Sequence, residues 1–246
     1  MAKFLKILIV IKRTHNFAKV YLSTNMGTVQ LNQHTNQLII RSVFFFYGTE
    51  ASQELSKQIA LNIQQHWNEP NAKAFINSKW WNVVFAIEGY YTPSLEPGTV
   101  WYNTDPANNY FRIEEFSPMH VSFVDDINCN TGYFKKENLM QTSTTAAHEY
   151  GHTLGLIHPY ELDIRGNKIP GIMYPRGTIC DPHFQYDASK SPGETGGTLH
   201  PHYRKVLQAD IDLLRLHKLQ YNKNGFAVLG TFSSIYHPLY TTDEMN

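Results

Sequence analysis

Residues 144–159 read TTAAHEYGHTLGLIHP. The alanines, leucines and isoleucine mark this segment for the interior, where every polar group must be desolvated at a cost unless it finds a partner. Even so, it carries His148, Glu149, His152 and His158. His148 and His152 are four residues apart. On a helix they share a face, with Cβ atoms about 5–6 Å apart, close enough for both imidazoles to meet at one ion. Glu149, beside the first of them, reaches a water at that ion more readily than the ion itself. Two histidines and a glutamate so spaced form the H-E-x-x-H arrangement: two zinc ligands and a general base.

Gly155 explains how His158 takes part. His158 lies six residues past His152 and faces elsewhere on a straight helix. A glycine can adopt a left-handed conformation, end the helix and turn the chain back, so that His158 approaches the same ion. Three neutral imidazoles hold zinc and leave a position open for water, whose pKa falls to about 7. Glu149 takes the proton of that water as it attacks a carbonyl and passes it to the leaving amine. The expected site is therefore one catalytic Zn²⁺ on His148, His152 and His158, with Glu149 as the catalytic base.

The full string, H-E-x-x-H-x-x-G-x-x-H, resembles that of the metzincin zinc endopeptidases. A second feature agrees: IPGIMYPRG, downstream, places Met173 in a Gly/Pro setting similar to the methionine turn of that family. The resemblance implies that Met173 is a soft apolar floor under the site, not a ligand. It also implies that Tyr174, Pro175, Arg176 and Gly177 line the pocket for the residue after the scissile bond. IMYP looks like the matrixin turn, whereas Pro159 directly after the third histidine looks like the serralysin version. The tyrosine that binds zinc in some members would fall at Pro175, so Tyr174 is not expected to ligate. By analogy, HVSFVDD (His120–Asp126) is an edge strand to which an extended substrate adds.

The implied fold is α+β: a metzincin-like catalytic domain over residues 37–225. It would have a twisted, mixed and mostly parallel β-sheet, a zinc-binding helix and a C-terminal helix. A β-rich extension (1–36) would precede it and a tail (226–246) would follow. The residues themselves suggest strands at Lys3–Ile11, 18–24 and 28–32, then an apolar β-branched and aromatic run at 37–48. Leu55, Ile59, Ile63 and Trp67 recur every four residues, predicting a helix over Glu50–Asn68 capped by Thr49. Further strands are expected at Lys79–Tyr91, Thr99–Tyr102, 119–126 and 131–134. The zinc helix should be capped by Ser143 or Thr144. Residues 159–201 lack periodicity, and a stretch so long and irregular is commonly functional. Val206, Leu207, Asp210, Ile211 and Leu214 give a last helix within 203–219, and 226–230 a last strand.

Lys and Arg together equal Asp and Glu at 21 each, which gives no electrostatic footprint for nucleic acid or an anionic membrane. The partner expected is a protein or peptide substrate, met by a monomer. The basic, apolar start stops at Lys12, short of a signal-peptide core. The expected setting is secreted or extracellular-acting without a clear signal, or a cytoplasmic or delivered effector. Cys129 and Cys180 allow one bridge or two thiols. Asp181, His183, Asp187, His200 and His202 offer a second metal such as Ca²⁺ or simply exposed loop polarity. Trp80, Trp81 and Trp101 read as packing residues. The alternative to an endopeptidase is a catalytically silent, zinc-containing module that binds a peptide or partner.

Overall fold

The computed structural model describes residues 27–139, 143–166 and 169–239. The strands expected at Lys3–Ile11 and 18–24 lie outside them. The fold is α+β, built on a strongly curled mixed sheet of eight strands. Its centre is β2 (Gln37–Tyr47), whose side chains alternate between faces and bury Leu38, Ile40, Phe44 and Phe46. One edge of β2 pairs in parallel with β4 (Lys79–Tyr91). The other edge is divided: β1 (Thr28–Asn32) runs antiparallel to its first half and β5 (Asn108–Glu114) parallel to its second. β7 (Thr131–Lys135) continues in parallel beyond β5, and the two-residue β6 (Phe123–Val124) closes that side antiparallel to β7. β3 (Lys73–Ile76) lies antiparallel outside β4, and β8 (Phe226–Val228) outside β1. The centre is thus parallel and the margins antiparallel.

Helix α1 (Gln53–Asn68) lies on the sheet, burying Ser56, Ile59, Ala60, Ile63 and Trp67. It is capped by Ser52 and begins at Gln53, not at Glu50. Ser52 Oγ accepts the Leu55 N–H at 3.2 Å, while the N–H and hydroxyl of Thr49, the expected cap, are held by the Glu114 carboxylate. Gly89 of β4 lets the helix come close, because a Cβ there would overlap the Ser56 carbonyl. Trp67 then links α1 to the motif helix α3 (Thr145–Thr153): its indole N–H donates to the Ala147 carbonyl at 3.0 Å, and its ring meets Tyr150 edge-on at 5.5 Å. Tyr150 in turn hydrogen-bonds Ser42 of β2 at 2.9 Å. These contacts fix α3 against the sheet.

Several expectations are corrected. Residues Pro97–Trp101 form a short helix, α2, not a strand; Pro97 presets the dihedral of a first helical turn. Of 119–126 only Phe123–Val124 is strand, because His120 takes φ +60° and breaks the extended run. The last helix, α4, is confined to Gln208–Leu213. Lys205 pairs instead with the Pro170–Gly171 backbone, and Arg215 at φ +50° ends the helix. Trp81 is buried as expected, but Trp80 and Trp101 are exposed. Cys129 and Cys180 are both buried free thiols. No helix among the described residues is long and apolar enough to cross a membrane.

Candidate metal centre

Helix α3 stops as Gly155 requires. Gly155 adopts φ +96°. The Leu156 N–H returns to the Gly151 carbonyl at 2.9 Å and the Gly155 N–H to the His152 carbonyl at 3.0 Å, the paired bonds of a Schellman motif. The turn accomplishes two things. It brings His158 back over the helix, and it presents the Leu156 carbonyl to His152 Nδ1 at 2.7 Å. Asn128 backs the turn: its N–H donates to the same His152 carbonyl at 2.9 Å, and its side chain occupies the space a Cβ on Gly155 would need.

His148 is held similarly. Its Nδ1 lies 2.7 Å from the Ile172 carbonyl and 3.0 Å from Arg204 Nη1. A guanidinium only donates and a carbonyl only accepts, so the two contacts demand opposite tautomers. The shorter contact, to a carbonyl with no alternative role, places the hydrogen on Nδ1. Arg204 already donates to the Tyr174 carbonyl at 3.1 Å and, through Nε, to Thr144 Oγ1 at 2.9 Å. His148 and His152 thus both carry Nδ1–H and turn their Nε2 lone pairs inward. Anchoring the far nitrogen on a carbonyl is how ligand histidines are oriented.

His158 Nε2 lies 3.1 Å from His148 Nε2 and 3.2 Å from His152 Nε2. All three ligand atoms fall within 4.8 Å of one another. A tetrahedral zinc with bonds of about 2.0–2.1 Å needs neighbouring nitrogens roughly 3.3 Å apart, so two of the edges match. Converging lone pairs repel one another, and a cation relieves that. The donor set fits zinc. His148 is buried, His152 partly so, and His158 is exposed. Burial holds all three below the ordinary histidine pKa: His152 to about 4, His148 well below, where the nearby Arg204 charge adds to the effect. These shifts favour the neutral form that ligation requires.

Glu149 and the histidines line a cleft of about 830 Å³ together with 121–127 and with Ile157, Pro159 and Tyr160. Burial pushes the Glu149 carboxyl up to about 8, opposed by the charges of Arg204 and Arg176 and by a hydrogen bond to the Val124 backbone. Burial also lowers Arg204, to about 10, while the Glu149 charge holds it up.

Met173 is buried against α3: a methyl group added to Gly151 would overlap its sulfur. Tyr174 packs beside Ile164, Cys180 and Leu199. Arg176 lines a separate cavity of about 510 Å³ with Glu137, Tyr186, His200 and His202. Pro175 accepts the Thr178 N–H, and Gly177 is exposed. Among the described residues, His148, His152 and His158 are the one group of three or more potential ligands that comes together. Asp181, His183, Asp187, His200 and His202 do not; Asp187, for example, accepts from Ser189, and His200 Nδ1 accepts the His202 N–H. Sequence reasoning missed Asn128, Arg204 and the carbonyls of Leu156 and Ile172. The carbonyls carry no side-chain signal, and Arg204 follows the stretch without periodicity.

No family model matches this chain, and no curated protein matches it significantly. The functional reading therefore rests on the site.

Proposed function

We propose that this chain is a zinc-dependent endopeptidase that acts as a monomer on protein or peptide substrates. One observation carries the reading: two carbonyl-locked imidazoles and His158 converge their Nε2 atoms beside a buried glutamate, at the floor of an open cleft. Zinc held by His148, His152 and His158 would supply Lewis acidity toward a water molecule and a substrate carbonyl. The remaining work belongs to the chain. Glu149 accepts a proton from the attacking water as the C–O bond forms, and returns it to the amine nitrogen as the C–N bond breaks. β6, the outermost strand on its side of the sheet, offers backbone groups to an extended peptide. Of the segment Tyr174 to Gly177, Arg176 lines the separate cavity with Tyr186 and His200, which would receive the residue after the scissile bond.

The second reading, a silent zinc-containing module that binds a peptide or partner, is favoured by the burial of Glu149, which pushes its carboxyl pKa up toward the protonated form that cannot accept a proton. A dication beside it reverses that bias, so zinc loading decides between the readings. The test is digestion of an unfolded protein mixture by zinc-loaded wild type and Glu149→Ala, with fragment ends read by mass spectrometry and zinc content measured on both. The endopeptidase reading expects cleavage by the wild type and a loss of at least about a hundredfold in the variant, with zinc retained by both. A wild type that holds zinc and leaves every protein intact supports the binding module. A wild type that cannot be loaded removes the site.

A further inference from the structure

The rim of the cleft has too little strand to hold itself. β6 makes only two register pairs with β7, Phe123↔Tyr133 and Val124↔Gly132, and strand pairing so brief is marginal without packing support. Yet Phe123, Val124 and Asp125 wall the cleft, and the Val124 backbone hydrogen-bonds Glu149. Ser122 ties one end of the rim to Asn138 and Lys135, and the segment after β8 ties the other. Between Leu229 and Leu239 that segment has no regular secondary structure beyond an isolated bridge at Thr231, but it is stitched down at several points. The Thr231 N–H donates to the Asn128 carbonyl at 2.6 Å and the Ser233 N–H to Asn130 Oδ1 at 3.1 Å. Tyr236 stacks on Tyr47 at 5.4 Å.

His237 is the end of this stitching. Its N–H donates to the Tyr47 hydroxyl at 3.1 Å, and its carbonyl accepts from Arg112 at 3.0 Å. Its ring stands edge-on to Phe123 and Tyr133, and its Nε2 lies 2.8 Å from Asp125 Oδ1. The two side chains of that pair are only 7% and 5% exposed. The other carboxylate oxygen of Asp125 accepts from Thr131. Removing one partner of a buried, hydrogen-bonded pair leaves the other uncompensated, so the position of Asp125, whose N–H and carboxylate also bond Thr131, depends on His237 as well.

We propose that His237 is a positioning residue, latching the tail segment onto Asp125 so that the rim strand stands at the height an extended substrate needs. The substrate part of this inference rests on the endopeptidase reading; the latch itself does not. The experiment compares wild type, His237→Leu, His237→Asn and His237→Gln in the full chain. Gln places an amide N–H about where imidazole Nε2 sits; Asn is too short to do so and Leu donates nothing. Three readouts are taken: zinc affinity, amide exchange across 121–127, and peptide cleavage.

Leu and Asn should raise exchange at 121–127 by at least about tenfold while the central strands stay protected. They should lower kcat/KM by a similar factor, mainly through KM. Zinc affinity should not change, and Gln should restore both other readouts. If Leu fails to fold, the Asn and Gln pair carries the comparison alone. Unchanged exchange at 121–127, exchange raised evenly over the sheet, or Gln as impaired as Asn each overturns the latch. Rim exchange that follows the expected pattern with no cleavage by any protein, wild type included, upholds the latch and defeats the endopeptidase reading instead.

Discussion

Replacing Gly155 with alanine should damage the metal centre without touching a ligand. Two costs add. The backbone at φ +96° is a conformation that L-residues resist by about 1–2 kcal/mol. The new methyl group would also overlap the Asn128 side chain, and forced overpacking of this kind costs about 1–3 kcal/mol. The sum, about 2–5 kcal/mol, corresponds to a fall in melting temperature of roughly 4–20 °C for a chain of this length. Gly166→Ala is the control for the first cost alone. Gly166 sits at φ +79° with nothing within 4 Å of an added Cβ, so it should lose only about 1–2 kcal/mol.

The functional consequence follows from the hydrogen bonds. If the turn opens to relieve the overlap, the Leu156 carbonyl leaves His152 Nδ1 and His158 leaves the cluster. Loss of an orienting partner costs roughly 10–100-fold in metal affinity, and displacement of a ligand adds to it. The assay is urea unfolding of chelator-treated protein, together with zinc competition against a chromophoric chelator. Gly155→Ala should lose both stability and zinc affinity; Gly166→Ala should lose some stability and no zinc affinity. A Gly155→Ala protein that binds zinc as the wild type does would refute the claim that this turn builds the site.

Three further outcomes are expected. Between pH 7.5 and 9 the site histidines are almost wholly neutral both folded and unfolded, whereas folded Glu149 loses its proton at about 8 and the unfolded residue has lost it near 4.5. The folded state of zinc-free protein then binds the extra proton, so this group's stabilisation falls as pH rises through the window, by about 1 kcal/mol; urea midpoints should show that slope, and Glu149→Gln should flatten it. Saturating zinc at about a hundred times its Kd should raise stability by about 2.7 kcal/mol, a gain that calorimetry should find diminished in His158→Ala. Gly151→Ala should cost about 1–3 kcal/mol in thermal unfolding, since its methyl group must displace the Met173 sulfur from under α3.

What could be read from the chain before folding was whatever the chain encodes over short distances. The two histidines on α3 follow from helical spacing and the approach of the third from Gly155, so one sixteen-residue string contains the cluster. β2, β4 and α1 were legible for the same reason: each has a strong period of its own and needs only a face to bury. The failures lie where a partner distant in sequence overrode a local preference. Residues 203–207 have helical spacing, but the backbone of Lys205 is claimed by Pro170 and Gly171, and Arg204 must extend to reach Thr144 and Tyr174. Thr49 is a good helix cap in isolation, yet Glu114, 65 residues away, takes both of its donors.

The centre shows the same division at the scale of single atoms. Which residues could hold a metal is written in side chains four and six apart. That they are ready to hold one is decided by the carbonyls of Leu156 and Ile172, which fix the hydrogens on the far nitrogens. Leu156 is local, delivered by the glycine turn. Ile172 comes from the segment carrying Met173, 24 residues beyond His148. The methionine segment therefore matters to the metal less through its sulfur, which only packs against Gly151, than through the carbonyl one residue earlier. Substituting Met173 by leucine, similar in volume and without a sulfur, should then leave zinc affinity nearly intact, while a proline at Met173, which alters the backbone of the turn, should lower it through His148. Zinc competition on the two variants separates these roles: a large loss in Met173→Leu would mean that the sulfur, not the carbonyl, supports the site.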